Sequence, residues 1–232
     1  MAKIMKTLGI IGGLGPETTA NFFMEVILSC AELNKLHRPS ILIANVPIEF
    51  KLEEDFIKHS KGKRKLLSLL IDSAIRLEKG GADFIVIPCN TVHVFIGEIR
   101  KAVNIPVLSI IDEAVDFLNE RNTKNVGLLA TPSTIKNRLF DSKLKTNSIQ
   151  MEIPDERSQK KLGEIINKIL RNTHNLNDKK DLTKIINRFS SDLVLLACTD
   201  LHILIPIKEN PKILDTMQIL KNAAVRELLK PS

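Results

Sequence analysis

Two stretches of this chain end in nearly the same way. Residues 84–93 are FIVIPCNTVH and residues 193–202 are LVLLACTDLH. Each is an apolar run that stops at a cysteine, followed by small hydrogen-bonding side chains and, four positions after the cysteine, a histidine. The match extends upstream. Asp83 precedes Cys89 by six positions and Asp192 precedes Cys198 by six, while GIIGG at 9–13 parallels GLLAT at 127–131. Agreement at this many places indicates an internal duplication, which confines the chain to folds that one supersecondary unit can build twice.

The unit itself is legible from periodicity. Residues 7–12, 41–46, 84–88 and roughly 106–110 are short β-rich runs in the first half. Residues 126–130, 148–153, 192–197 and about 212–215 are their counterparts in the second. Helical patterns separate them. Gly15 caps a helix that begins at Pro16, where a missing N–H costs nothing. Its apolar stripe is Phe22, Phe23, Val26, Ile27, Cys30 and Leu33. Leu66, Leu70, Ala74 and Leu77 stripe a second helix that Gly80 and Gly81 end, and the last helix covers 216–229. Strand–helix alternation predicts parallel sheets flanked by helices. The expected class is therefore α/β, with two pseudo-symmetric flavodoxin-like lobes of four parallel strands each and a site between them.

Composition narrows the function classes. With 232 residues, 44% of them apolar, a packed core is well supplied. The formal charge of +7 raises nucleic acid as a partner. The lysines are scattered, however, and without Trp or Tyr there is little to stack a base on, so no nucleic-acid partner is expected. Three cysteines do not make a disulfide framework. No apolar run approaches a membrane span, and Leu8 to Leu14 lacks a signal-peptide pattern. A cytoplasmic protein with no membrane partner is the expectation.

In a parallel α/β sheet, ligands bind where strands end and loops lead into helices. Cys89 and Cys198 both fall there, and a helix N-terminus would lower the thiol pKa. Asn90, Thr91 and Thr199 add donors suited to an anionic group. Two like groups facing each other across a cleft suit inversion of a carbon stereocentre. One takes the proton from one face, the other returns a proton to the opposite face, and the roles then exchange.

GIIGGLGPET near the start, GADFIVIPCNTVH in the middle, VGLLATPSTI at 126–135 and ACTDLH near the end resemble the aspartate/glutamate racemase family. The resemblance covers nearly the whole chain. It implies an amino-acid racemase that needs no pyridoxal phosphate or other cofactor, commonly a homodimer, with Cys89 and Cys198 as the catalytic pair. It also implies that Asn90, Thr91, Thr131 and Thr199 hold the substrate carboxylate and its surroundings, with Thr134 a neighbouring candidate. Aspartate is the substrate it suggests most, with glutamate or a broader range as the alternative. For the side-chain carboxylate the family's cations fall on Lys51 and at or near Arg171. The family usually has Cys-Thr-Glu at its second cysteine, whereas this chain has Cys198, Thr199 and Asp200. The family's topology folds the last helix back onto the first lobe, which divides the chain into 1–111 with 207–232 and 112–206.

Other readings of the same residues are open. A superfamily isomerase or decarboxylase could use one or both cysteines, and a binding protein could keep the cleft without turnover. Paired Cys-x3-His units could hold zinc, but thiols at strand ends with helix donors do not need it, and no metal is expected. His93 and His202 are expected to pack or hydrogen-bond in the first turn after each cysteine. Gly13-Leu14-Gly15 lacks the third glycine of a dinucleotide fingerprint, which leaves a tight turn lining the cleft. Cys30 is a core residue on its helix stripe. Asp112, Glu113, Asp155 and Glu156 are favourable charges at helix starts.

Overall fold

The computed structural model describes residues 6–33, 38–205 and 210–230. Two parallel sheets organise it. The first has the order β2-β1-β3, from Ser40–Asn45, Thr7–Gly12 and Phe84–Val86. The second has the order β5-β4-β6-β7, from Gln150–Glu152, Asn125–Ala130, Leu193–Ala197 and Ile213–Asp215. In register, Leu8 pairs with Ile41 and Phe84 in the first sheet, and Val126 with Met151 and Leu193 in the second. The helices are α1 (Pro16–Leu33), α2 (Phe50–His59), α3 (Lys63–Lys79), α4 (Ile96–Ala102), α5 (Ile110–Glu120), α6 (Pro132–Lys136), α7 (Asp141–Thr146), α8 (Glu156–Leu170), α9 (Leu176–Ile186) and α10 (Thr216–Leu228).

The first sheet has three strands rather than four. The run at 106–110 reduces to one parallel bridge, Ile85 to Val107. Pro106 has no N–H to give the ladder, and the Ser109 hydroxyl already caps α5, accepting from the Asp112 N–H at 3.1 Å. The strand at 148–153 is likewise cut to three residues, with Ser148 in a left-handed turn before it and Pro154 after it. Along α1, Phe22, Val26 and Cys30 are buried as their spacing predicts, but Leu33 in the last turn is 70% exposed.

Side-chain alternation divides the apolar residues into three clusters. Leu8, Ile10, Phe84 and Val86 of the first sheet share one cluster with Val126, Leu128, Leu195 and Ala197 of the second. Helices α1, α5 and α10 fill it; α10 packs against both α1 and α5. The opposite strand faces carry the other two. Ile11, Ile85 and Ile87 pack under α3, and Leu129, Val194 and Leu196 pack under α8 and α9. By that parity Cys89 joins the α3 side and Cys198 the α8 side. No helix among the described residues is long and apolar enough to cross a membrane.

Candidate active site

Each cysteine follows its strand directly, at the carboxyl end where the chain turns. The segment after it is a short 3-10 turn, Thr91–Phe95 in one case and Leu201–Ile203 in the other. These turns replace the α-helices expected there, and the electrostatics change with them. Burial dominates. It pushes the Cys89 thiol up to about 12, although the N–H groups of Val92 and Thr91 point at the sulfur and act the other way. Cys198 is raised too, first by burial and then by the nearby Asp200 charge. Both thiols are therefore protonated at neutral pH, which corrects the expectation of a thiolate formed by helix dipoles.

Cys89 and Cys198 line one cavity with Asn90, Thr91, Thr131, Thr199 and Asp200. Its volume is about 20 Å³, room for roughly one water molecule. Three hydroxyls close a ring beside it. Thr91 Oγ1 lies 3.0 Å from Thr131 Oγ1, Thr131 donates to Thr134 at 3.0 Å, and Thr134 donates to Thr91 at 3.2 Å. Thr131 also caps α6, accepting from the Thr134 N–H at 3.1 Å. Thr134 thus meets the site through the ring and does not line the cavity. Thr199 donates to the Pro88 carbonyl at 3.1 Å, tying the loop of the second sheet to that of the first.

Asn90 is buried and its orientation is determined. The Thr216 hydroxyl donates to the Leu196 carbonyl at 2.9 Å, so it accepts from Asn90 Nδ2, also at 2.9 Å. Asn90 Oδ1 is left buried with no partner. Asp200 is buried as well. It accepts from the Thr18 hydroxyl at 2.5 Å and lies 3.8 Å from Cys198 Sγ. Burial raises its pKa, with Thr18 opposing. Thr18 reaches it because the first strand turns sharply at Gly13 and Gly15, both at positive φ. A Cβ on Gly15 would stand 2.6 Å from Asp200 Oδ1. The glycines of GGLGPE thus form the tight turn expected of them, and Leu14 lines the cavity.

The two histidines are supports. The Ile110 N–H donates to His93 Nε2 at 3.1 Å, so Nδ1 carries the proton and donates to the Cys89 carbonyl at 2.8 Å. Burial lowers its pKa to about 4, and with both nitrogens occupied it offers no lone pair to a metal. His202 Nδ1 bonds the Thr199 carbonyl. Cys30 is fully buried in the core.

Two expected ligands stand apart. Lys51 is exposed in the first turn of α2 and is not among the lining residues. Arg171, at the end of α8, is exposed and ion-paired with Glu54. What α2 does bring to the cavity is Glu53, with Phe56 and Ile57 beside it. These three were missed by sequence reasoning, although a carboxylate set three and four residues before two apolar side chains is a visible pattern on one helix face. Burial raises the Glu53 carboxyl to about 7, and the Asp200 and Glu17 charges push the same way.

The chain matches the Asp/Glu/Hydantoin racemase family model over residues 11–224. It is 31% identical over 229 residues to the broad specificity amino-acid racemase RacX of Bacillus subtilis, covering 96% of this chain and 98% of the relative. Among solved structures, the Picrophilus torridus aspartate racemase superposes with a TM-score of 0.79 at 26% identity, covering 96% of this chain and 94% of that one. An aspartate racemase homologue from Pyrococcus horikoshii shares the fold, with a TM-score of 0.78 at 24% identity over 97% of this chain and all of the other. On these matches the chain belongs to the Asp/Glu/hydantoin racemase family as an amino-acid racemase.

Proposed function

We propose that Cys89 and Cys198 are the two acid–base groups of racemisation, acting on opposite faces of the substrate Cα in a cleft between two related lobes. One observation carries this reading: thiols from matched strand ends line the same small cavity. The duplication is supported by parity, since both cysteines continue the strand faces turned toward the outer helices. Gly9 and Gly127 support it too, at equivalent positions of the central strands β1 and β4. The division we infer from the family resemblance, a first lobe of 1–111 with 207–232 and a second of 112–206, has α10 packed on α1 of the first lobe and also on α5, while β7 pairs in the second sheet.

The proton path begins at Asp200. It accepts the Cys198 proton, and the thiolate so formed removes the proton from Cα. The Cys89 thiol then delivers its proton to the opposite face. Cys89 ends as thiolate and Cys198 as thiol, the state from which the reverse reaction runs. The α-ammonium of the substrate brings a positive charge next to both sulfurs, which favours ionisation of one of them. Thr91, Thr131, Thr199 and the free amide hydrogen of Asn90 serve the α-carboxylate. Their hydroxyls can rotate from the resting contacts to donate to it as charge builds during deprotonation.

The Picrophilus enzyme favours aspartate as substrate, and the Bacillus relative favours a wider range of side chains. Aspartate would need a cation for its second carboxylate, and Lys51 and Arg171 both lie away from the lining. A homodimer is the assembly we infer from the family resemblance; Met24 and Leu28, half exposed one turn apart on α1, offer an apolar contact for it.

Chiral chromatography of an amino-acid panel incubated in D2O tests the reaction. The wild type is expected to label Cα with no loss of carbon. Cys89→Ser and Cys198→Ser should each reduce inversion by about 100-fold or more. Near-normal racemisation by either variant would sink the two-base step, and release of carbon dioxide would place the enzyme with the decarboxylases.

A further inference from the structure

The wall built by α2 with α3, α8 and the segment before α2 has no role in moving the proton, and its chemistry is unlike that of the rest. Apolar side chains make most of it: Ile48, Phe56, Ile57, Leu66, Ile166 and Leu170. Among them stands one carboxylate, Glu53, which accepts no hydrogen bond and makes no ion pair among the described residues. Asp200, its neighbour in charge, is already engaged by Thr18 and Cys198. No Lys, Arg or His is among the described residues that line the cavity. The second unmatched group is Asn90 Oδ1, buried and without a donor. The cavity thus presents acceptors and negative charge to whatever enters.

We propose that the amino acid this cleft is shaped for carries a cationic side chain, as in lysine, ornithine or arginine, with Glu53 as the counter-ion of its terminal group. This rests on the racemase reading and adds to it the class of substrate. A methylene stem suits the apolar walls, and a cation at its end supplies the donor that Glu53 lacks. An apolar side chain would leave the carboxylate desolvated and unpaired, which is unfavourable. An acidic side chain would add a third negative group beside Glu53 and Asp200, unless one of them stayed protonated. In the cationic case the two ammonium-type groups of the ligand face the carboxyl groups of Glu53 and Asp200, and the hydroxyl ring takes the α-carboxylate. The raised pKa of Glu53 fits an unoccupied site, because a bound cation would favour ionisation. Cationic ligands should accordingly bind more tightly as pH rises from 6 to 8.

Calorimetry on the wild-type protein with racemic amino acids decides it, since a racemate undergoes no net turnover during titration. Racemic lysine or ornithine is expected to bind at least about 10-fold more tightly than racemic norleucine, which has the stem without the charge, and more tightly still than aspartate. Glu53→Gln should bring lysine to the norleucine level. Preference for aspartate, equal binding of lysine and norleucine, or binding of none of the panel overturns the proposal. Solvent deuterium exchange at Cα separates the two claims. Lysine binding without exchange would leave the cation site and remove the racemase reading, whereas exchange on aspartate alone would do the reverse.

Discussion

At the residue scale, the site is governed by desolvation. Helix-type donors do reach the Cys89 sulfur, but burial outweighs them and the thiol rests protonated. Racemisation should therefore speed up with pH well above neutrality, with no plateau at pH 7 of the kind a pre-formed thiolate would give. A pH–kcat profile that is flat from 7 to 9 would contradict this. Glu53 lends itself to a stability measurement. Folding raises its pKa from 4.5 to about 7, so the folded state binds the extra proton and stability falls as pH rises through that interval. Glu53→Gln removes the ionisable group, and at pH 8 it should stabilise the protein by on the order of 2 kcal/mol, with little gain at pH 4. Urea denaturation at the two pH values reads this directly. Gly15 is the third residue of note. An alanine there would take a positive φ and crowd Asp200, so Gly15→Ala should cost about 1–3 kcal/mol and disturb the Thr18–Asp200 contact.

At the element scale, α2 covers the cavity. It is docked mainly by polar contacts at its C-terminal end. Ser60 Oγ lies 2.6 Å from Ser133 Oγ and accepts from Asn137 at 2.9 Å, while Glu54 pairs with Arg171 at the end of α8. Its apolar hold is centred on Phe56, stacked on Phe95 with ring centroids 5.6 Å apart. The cavity has room for about one water molecule, so we expect α2, which lines it through Glu53, Phe56 and Ile57, to swing or loosen as a substrate enters. Hydrogen exchange should find α2 less protected than the buried strands β1 and β4, and more protected once ligand is bound. Phe56→Ala should speed exchange in α2 and raise KM more than it lowers kcat. Equal protection of α2 and β1 without ligand would refute the gating role. Arg171→Ala removes an exposed ion pair, and its effect on global stability should stay below about 1 kcal/mol.

At the scale of the whole molecule, one apolar cluster draws on both sheets and is filled by α1, α5 and α10. Neither sheet can lose its inner face without exposing the other. Calorimetric melting should therefore show one transition, and two resolved transitions would argue for independently folding lobes. The pH dependence of overall stability is a sum of opposed parts. His93 is buried neutral, with its pKa lowered from 6.5 to about 4, so its contribution is complete above pH 6.5 and lost toward pH 4. Glu53 and the buried Asp215, both raised, act in the opposite direction over much of the same interval. Two raised carboxyls outweigh one histidine, so stability should fall as pH rises from 4.5 to 7 and level off above that. It should fall again above pH 9, where unfolded thiols lose protons that Cys89 and Cys198 keep.

By itself the amino-acid order determined the strand–helix alternation, because burial on a parallel sheet demands apolar runs and helix packing demands a three-to-four stripe. It also determined the strand-end positions of Cys89 and Cys198, and the tight turn at Gly13–Gly15, since few residues besides glycine accept a positive φ. The motif letters were enough to name the family. Only the tertiary structure decided the rest. The run at 106–110 looked like a strand until Pro106 and the Ser109 cap competed for it. Lys51 and Glu53 are two residues apart on one short helix, and which of them faces the cavity depends on how α2 docks. The direction of the thiol pKa values depends on burial against donor alignment, a balance of three-dimensional distances that no linear spacing encodes.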